Sequence, residues 1–166
     1  MSLHIFNCVM IFIIGLVFGS FYNVVGYRLP NKMSIVFPQS HCPNCNHKLN
    51  FYELIPVLSY IFLGGKCKKC KCKISFFYPF FELLTGVLFL LCYLNFGINI
   101  EFFIAVTFVS VLIIISISDI KYYIIPDEVL IVGTIIILIL FGINTYLNDL
   151  GVVKGLIMPI LNGIGS

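Results

Sequence analysis

The chain has 166 residues, of which 60% are hydrophobic and 10% charged, and its mean hydropathy is +1.08; that size holds one domain and part of a second, and that composition excludes an ordinary water-soluble enzyme. Ten Lys and Arg against seven Asp and Glu leave a net charge of +3, far too few basic groups for a nucleic-acid binder unless they cluster strongly. Seven cysteines would suit a secreted disulfide scaffold, but such scaffolds are small and polar, so a bilayer accounts for the composition better.

A helix that crosses the hydrocarbon layer needs about 20 mostly apolar residues. Four segments provide them, at residues 3–25, 76–94, 102–118 and 129–147. The first reads as a retained helix and not a signal peptide, because Met1-Ser2-Leu3-His4 lacks a basic stretch and no Ala-x-Ala-like cleavage site follows. A fifth apolar segment, from Leu150 on, is interrupted by Lys154, Pro159 and Asn162 and reads as a weak or truncated span.

Eight of the ten basic residues lie between Arg28 and Lys73, with Glu53 the one acid among them. The positive-inside rule makes that loop cytoplasmic, the N-terminus and the turn at 95–101 external, and the turn at 119–128 cytoplasmic, with Lys154 a single exception. The loop's charges set topology and meet anionic headgroups. Its aromatics Phe51, Tyr52, Phe76 and Phe77 read as packing at the membrane surface, which again argues against nucleic acid.

The same loop carries Cys42-Pro-Asn-Cys45 and, after 21 residues, Cys67-Lys-Lys-Cys70. Two such pairs are a zinc signature, because each short turn brings two thiolates to one side of a tetrahedral ion. Residues 42–52 also align with 67–77 as Cys-x-x-Cys followed by an apolar residue, Asn or Ser, and two aromatics. This predicts two knuckles related by a pseudo-two-fold. Neighbouring lysines would favour thiolates, cytoplasmic placement disfavours disulfides, and four thiolates leave no open position, so the site is structural. His41, His47 and Cys72 read as bystanders, and Cys8 and Cys92 as small core residues within spans.

Carboxylates in or beside a span are costly and therefore functional candidates. Glu82 lies about one turn into the second span and Asp119 at the end of the third. On spacing alone Asp119 is either a reactive group or an interfacial charge paired with Lys121. Pro126 should end a helix, leaving Asp127 to cap the next one. The fold class is thus an all-α membrane protein, a polytopic transmembrane helix bundle with a small cytoplasmic zinc-binding loop module. Residues 1–26 form its first span, 27–75 the loop, and 76–166 the remaining helices.

Several stretches together resemble the type IV prepilin peptidase family, the leader peptidases and N-methyltransferases of pilus and type II secretion systems. They are Gly19-Ser-Phe-Tyr-Asn-Val-Val-Gly-Tyr-Arg-Leu-Pro30, the two cysteine pairs, Glu53-Leu-Ile-Pro-Val-Leu-Ser-Tyr60, Ile74-Ser75, Tyr78-Pro79-x-x-Glu82, and Asp119 through Ile125-Pro126-Asp127. The resemblance implies a multi-pass protein of the bacterial inner membrane and an aspartyl peptidase of the Gly-x-Gly-Asp type, with Asp119 matching the first of two catalytic aspartates. It implies cleavage of prepilin or pseudopilin leaders after a Gly. Methylation of the new N-terminus from S-adenosylmethionine is attributed to the loop, with a Gly at the position of Gly65. The sequence departs from the pattern in having no Gly-x-Gly-Asp. The expectation is therefore the N-terminal part of a longer enzyme or a shortened relative, without peptidase activity by itself. Two alternatives stand beside it, a methyltransferase-only remnant and a non-catalytic zinc-containing membrane scaffold.

Overall fold

In the computed structural model, which describes residues 2–163 and the side chains of residues 3–148, all the long elements are helices. They are α1 (Ser2–Arg28), a short α2 (Leu58–Phe62) within the loop, α3 (Phe77–Phe96), α4 (Ile100–Tyr122) and α5 (Asp127–Gly163). A 3-10 turn at Phe51–Leu54 precedes α2. The weak segment from Leu150 on lies outside the residues whose side chains are described.

Local chemistry sets the helix ends. Pro30 cannot continue α1 and follows its last residue, Arg28, by two positions. Gly97, at φ +67°, closes α3 by donating its N–H to the Tyr93 carbonyl at 2.8 Å. Asn99 caps α4 by accepting the Phe102 N–H at 3.0 Å. At its other end α4 runs four residues past the expected end at 118, to Tyr122. Tyr123 then turns into the left-handed region and donates its N–H to the Asp119 carbonyl at 2.8 Å. Pro126 stands immediately before α5 and does not end α4, and Asp127 is the first residue of α5, not the capping residue before it. Proline, with its fixed φ and missing N–H, suits a helix entry.

Glycines bring α1 and α3 together. A Cβ on Gly15 would lie 2.7 Å from the Gly86 Cα, and one on Gly19 would lie 2.8 Å from the Glu82 Cα. Without a hydrophobic drive between helices in lipid, such small residues allow the backbone approach that van der Waals packing requires. Around this seam Tyr22, Val25, Phe81, Phe89, Ile113 and Ile117 form the buried core. Outward-facing side chains such as Ile13, Phe18, Leu112, Ile131 and Leu138 are apolar and exposed, far more apolar surface than a soluble monomer shows. Among the described residues, four helices are long and apolar enough to cross a membrane. The chain is a polytopic helical membrane bundle.

The loop and the α4–α5 turn share one end of the bundle. There Lys121 of α4 donates to the Tyr78 hydroxyl of α3 at 3.1 Å, and Tyr27 of α1 packs edge-on against Tyr122 at 5.8 Å. At the opposite end His4 and Phe102 both pack against Tyr93, at 5.7 and 6.5 Å.

Candidate metal centre

The two cysteine turns are built alike, with every second-turn residue 25 positions after its counterpart. Cys42 donates its N–H to the His47 carbonyl at 2.9 Å, and Cys67 donates to Cys72 at the same distance. Asn46 and Lys71, at φ +52° and +59°, reach back to the carbonyls of Cys42 and Cys67 at 2.9 and 3.0 Å. A bridge pairs His41 with Lys48 in the first turn and Lys66 with Lys73 in the second. Below these, Leu49 donates to the Ser40 carbonyl at 2.9 Å and Ile74 to that of Gly65 at 2.8 Å. The anticipated pseudo-two-fold is thus a repeated backbone hydrogen-bond pattern. Gly65 itself sits at φ +66° against the Tyr60 ring, where a Cβ would approach within 2.9 Å.

These turns gather the four sulfurs of Cys42, Cys45, Cys67 and Cys70 within 4.8 Å of one another. Zinc–sulfur bonds of about 2.3 Å around a tetrahedron set thiolates about 3.8 Å apart. Two cross-knuckle distances, 3.8 Å for Cys42–Cys70 and 3.9 Å for Cys45–Cys67, meet that requirement. All seven cysteines are free thiols. The donor set therefore fits a closed, four-thiolate ion of the zinc type.

Backbone N–H groups are the largest influence that favours the thiolates. Those of Asn44 and Cys45 lower the Cys42 thiol, and the Cys72 N–H followed by its side chain lowers Cys70 to about 5. The His47 N–H favours a Cys45 thiolate too, yet burial and the neighbouring Cys70 and Cys42 push that thiol up to about 11. Cys70 and then Cys42 push Cys72 up to about 12. The thiolate form is thus favoured on one cysteine of each knuckle, Cys42 and Cys70.

Three polar side chains order the module or join it to the bundle through partners that the sequence does not display. Arg28, counted from sequence only as a topology charge, is buried and donates to the carbonyls of Ser34, Ile35 and Pro38 at 3.0, 3.0 and 2.6 Å. Glu53 is buried beneath the first knuckle, where its Oε2 accepts from the Asn50 N–H at 2.8 Å and faces His47 Nε2 at 3.3 Å. The Asn-x-x-Glu spacing of a capping box was the available signal. Glu82 accepts the N–H of Val57 at 2.7 Å, with Ser20 beside it, and so joins the loop to α1 and α3.

Asp119 is exposed on the face of α4 that also carries Leu112 and Ser116. It makes no ion pair with Lys121, because among the described residues the single ion pair is His47–Glu53. The Lys121 ammonium instead lies 4.4 to 5.3 Å from the ring centres of Tyr78, Phe77 and Tyr27, where cation–π attraction holds it. Asp119 does share the loop's end of the bundle, since Lys121 and Tyr122 tie that part of α4 to Tyr78 and Tyr27.

A polytopic membrane bundle with a four-thiol module between its first two spans is the class that fold and site define. The chain belongs to the family of the bacterial peptidase A24 N-terminal domain, whose model matches residues 13–96. It is 48% identical over 122 residues to the prepilin leader peptidase/N-methyltransferase of Bacillus subtilis (strain 168), covering 74% of this chain and 49% of that protein. The proteins of the same name from Myxococcus xanthus and Klebsiella pneumoniae are 43% and 36% identical over 125 and 123 residues. Those matches cover 75% and 70% of this chain and 37% and 54% of the relatives. The chain thus spans about half the length, or less, of these curated relatives. No solved structure matches it.

Proposed function

We propose that the chain is the N-terminal part of a prepilin leader peptidase/N-methyltransferase and supplies one carboxylate of a two-aspartate peptidase site. The observation that carries this is the 48% identity over 122 residues to the Bacillus subtilis protein of that name. Asp119, at the loop end of α4, is the proposed catalytic group. Two nearby carboxylates cannot both ionise easily, so they share one proton; one acts as base toward water and the other polarises the scissile carbonyl. The second carboxylate comes from outside these 166 residues, which contain no Gly-x-Gly-Asp.

Residues 27–75 form the cytoplasmic module, with Cys42, Cys45, Cys67 and Cys70 holding a structural zinc ion that fixes the loop's fold. Residues 76–166 belong to the peptidase core, residues 1–26 to the first span, with the N-terminus external. The substrate is a prepilin or pseudopilin entering from the inner membrane, and S-adenosylmethionine would supply the methyl group for its new N-terminus.

The test is prepilin processing in membranes containing the full-length protein. Asp119→Asn should lower cleavage by at least about 100-fold, the usual worth of a positioned acid or base, while leaving methylation of an already cleaved pilin peptide intact. Wild-type cleavage by that variant would refute the assignment. A non-catalytic scaffold is the second reading, favoured by an exposed Asp119 with no ion-pair partner among the described residues. It predicts that the Asp119 variant is silent in both assays.

A further inference from the structure

Within a loop that carries eight basic residues, positions 54–65 hold no charge at all, reading Leu-Ile-Pro-Val-Leu-Ser-Tyr-Ile-Phe-Leu-Gly-Gly between Glu53 and Lys66. An apolar run of that length is too short to span a bilayer, and belongs either to a buried core or to a re-entrant or interfacial segment. Exposure excludes the core. No residue of the run is buried, and Leu58, Ile61 and Phe62 are 51%, 64% and 83% exposed. Contacts with the spans set the depth of the run. With 20 residues α3 is about 30 Å long, the thickness of the hydrocarbon layer. Glu82 stands five residues in from Phe77, about 7.5 Å inside that layer, and it accepts the Val57 N–H at 2.7 Å. Leu54 and Ile55 share with Val17, Phe21 and Val24 of α1 the lining of a cavity of about 420 Å³. Val17 lies eleven residues, about 16 Å, before the end of α1 at Arg28.

We propose that residues 54–65 re-enter the membrane from the loop's side, and that acyl chains of that leaflet cover Leu58, Ile61 and Phe62 and fill the cavity beside α1. The exposed apolar face of the run is continuous with the lipid-facing surface of α1, where Val17 and Phe21 are exposed on the same cavity. Its backbone meets the condition that hydrocarbon imposes, a protein partner for each N–H. Ser59, Ile61, Leu63 and Gly65 donate to carbonyls of the run itself at 2.8 to 3.1 Å. Pro56 has no N–H to satisfy, and that of Val57 goes to Glu82. Glu82 is then the acceptor that lets a break in helical backbone sit at membrane depth. The inference needs only the membrane bundle and is independent of the peptidase reading.

The chain contains no Trp, so a single introduced Trp reports its own surroundings. The experiment places the full chain in vesicles of phosphatidylcholine and phosphatidylglycerol and reads fluorescence loss to three quenchers: lipids brominated near the headgroup, lipids brominated near the chain end, and aqueous acrylamide. Phe62→Trp is the probe, with Ile61→Trp in its place should the first variant not fold. Leu138→Trp, exposed midway along the apolar part of α5, is the lipid-facing reference, and Lys69→Trp, exposed on the second knuckle, the water-facing one. Phe62→Trp should lose most fluorescence to the shallow bromines and little to acrylamide, Leu138→Trp most to the deep bromines, and Lys69→Trp to acrylamide alone. Quenching of Phe62→Trp by acrylamide as strong as that of Lys69→Trp would place the run in water and overturn re-entry. Protection of Phe62→Trp from all three quenchers would mean that protein, from a second copy or another chain, covers the face, and would overturn lipid as its occupant.

Discussion

Replacing Glu82 by Ala should release the loop from the membrane bundle while leaving the spans in place. Glu82 is 9% exposed, and its Oε2 accepts the Val57 N–H at 2.7 Å. Val57 sits at φ +60°, a conformation that a β-branched residue adopts only where surrounding contacts impose it. Such strain costs about 1–3 kcal/mol, and a part-buried N–H stripped of its acceptor costs up to about as much again. The carboxylate supplies the bond that holds this strained residue. In the Ala variant the strain relaxes by opening, so the stability lost locally is of the order of one such term, not the sum of the two. Local opening should then become about 5- to 150-fold more frequent. Amide exchange of a peptide spanning residues 53–57, measured with the protein in lipid nanodiscs, reads this directly. Exchange in α1 and α3 reports whether the helices stayed packed. Glu82→Gln retains an oxygen acceptor and should recover most of the protection. Unchanged exchange at residues 53–57 in the Ala variant would show that the carboxylate is not the anchor, and the account of Glu82 as a structural tie would have to be withdrawn.

Two other perturbations probe separate contacts. The Glu53 carboxyl is held below its ordinary value of 4.5, first by the Asn50 N–H and then by His47. A depressed acid contributes stability that is complete above the unfolded value and is lost as pH falls through the folded one. Loop protection should therefore decline as pH drops below about 4.5, and Glu53→Gln should remove that part of the decline; superimposable pH profiles for the two proteins would contradict the account of a carboxylate held by Asn50 and His47. Gly15→Ala would thrust a Cβ to 2.7 Å from the Gly86 backbone and should destabilise the α1–α3 pair by about 1–3 kcal/mol, the usual cost of overpacking. Gly142→Ala, with nothing within 4 Å, is the control, and equal unfolding midpoints for the two variants in detergent would exclude a tight seam.

The spans were legible because hydropathy over about 20 residues is dictated by bilayer thickness and needs no tertiary information. The thiol module was legible because a tetrahedral ion constrains the spacing of its ligands, and the pseudo-two-fold followed from a repeat that sequence alone displays. Backbone acceptors and donors were not legible. Arg28 binds three carbonyls and Glu82 binds one N–H, and any residue can present those groups, so composition carries no trace of them. The sequence left open whether Lys121 pairs with Asp119, two residues away, and positions two apart on a helix do not face each other. The aromatic rings that hold Lys121 come from two other helices.

Placed together, these ties have a consequence for how the two halves of the molecule communicate. Arg28 extends α1 into the loop, Glu82 grips the loop from α3, and Lys121 locks α4 to Tyr78, four residues before Glu82. All three lie at the end of the bundle that carries Asp119. A shift of the thiol module would therefore pull on α3 through Val57 and Glu82, and through Tyr78 on the last turns of α4. Because the ties are hydrogen bonds to fixed backbone or ring groups, they transmit displacement better than exposed ion pairs would, which are screened by water. Displacements of Val57 and of the last turn of α4 should thus be mechanically linked through α3.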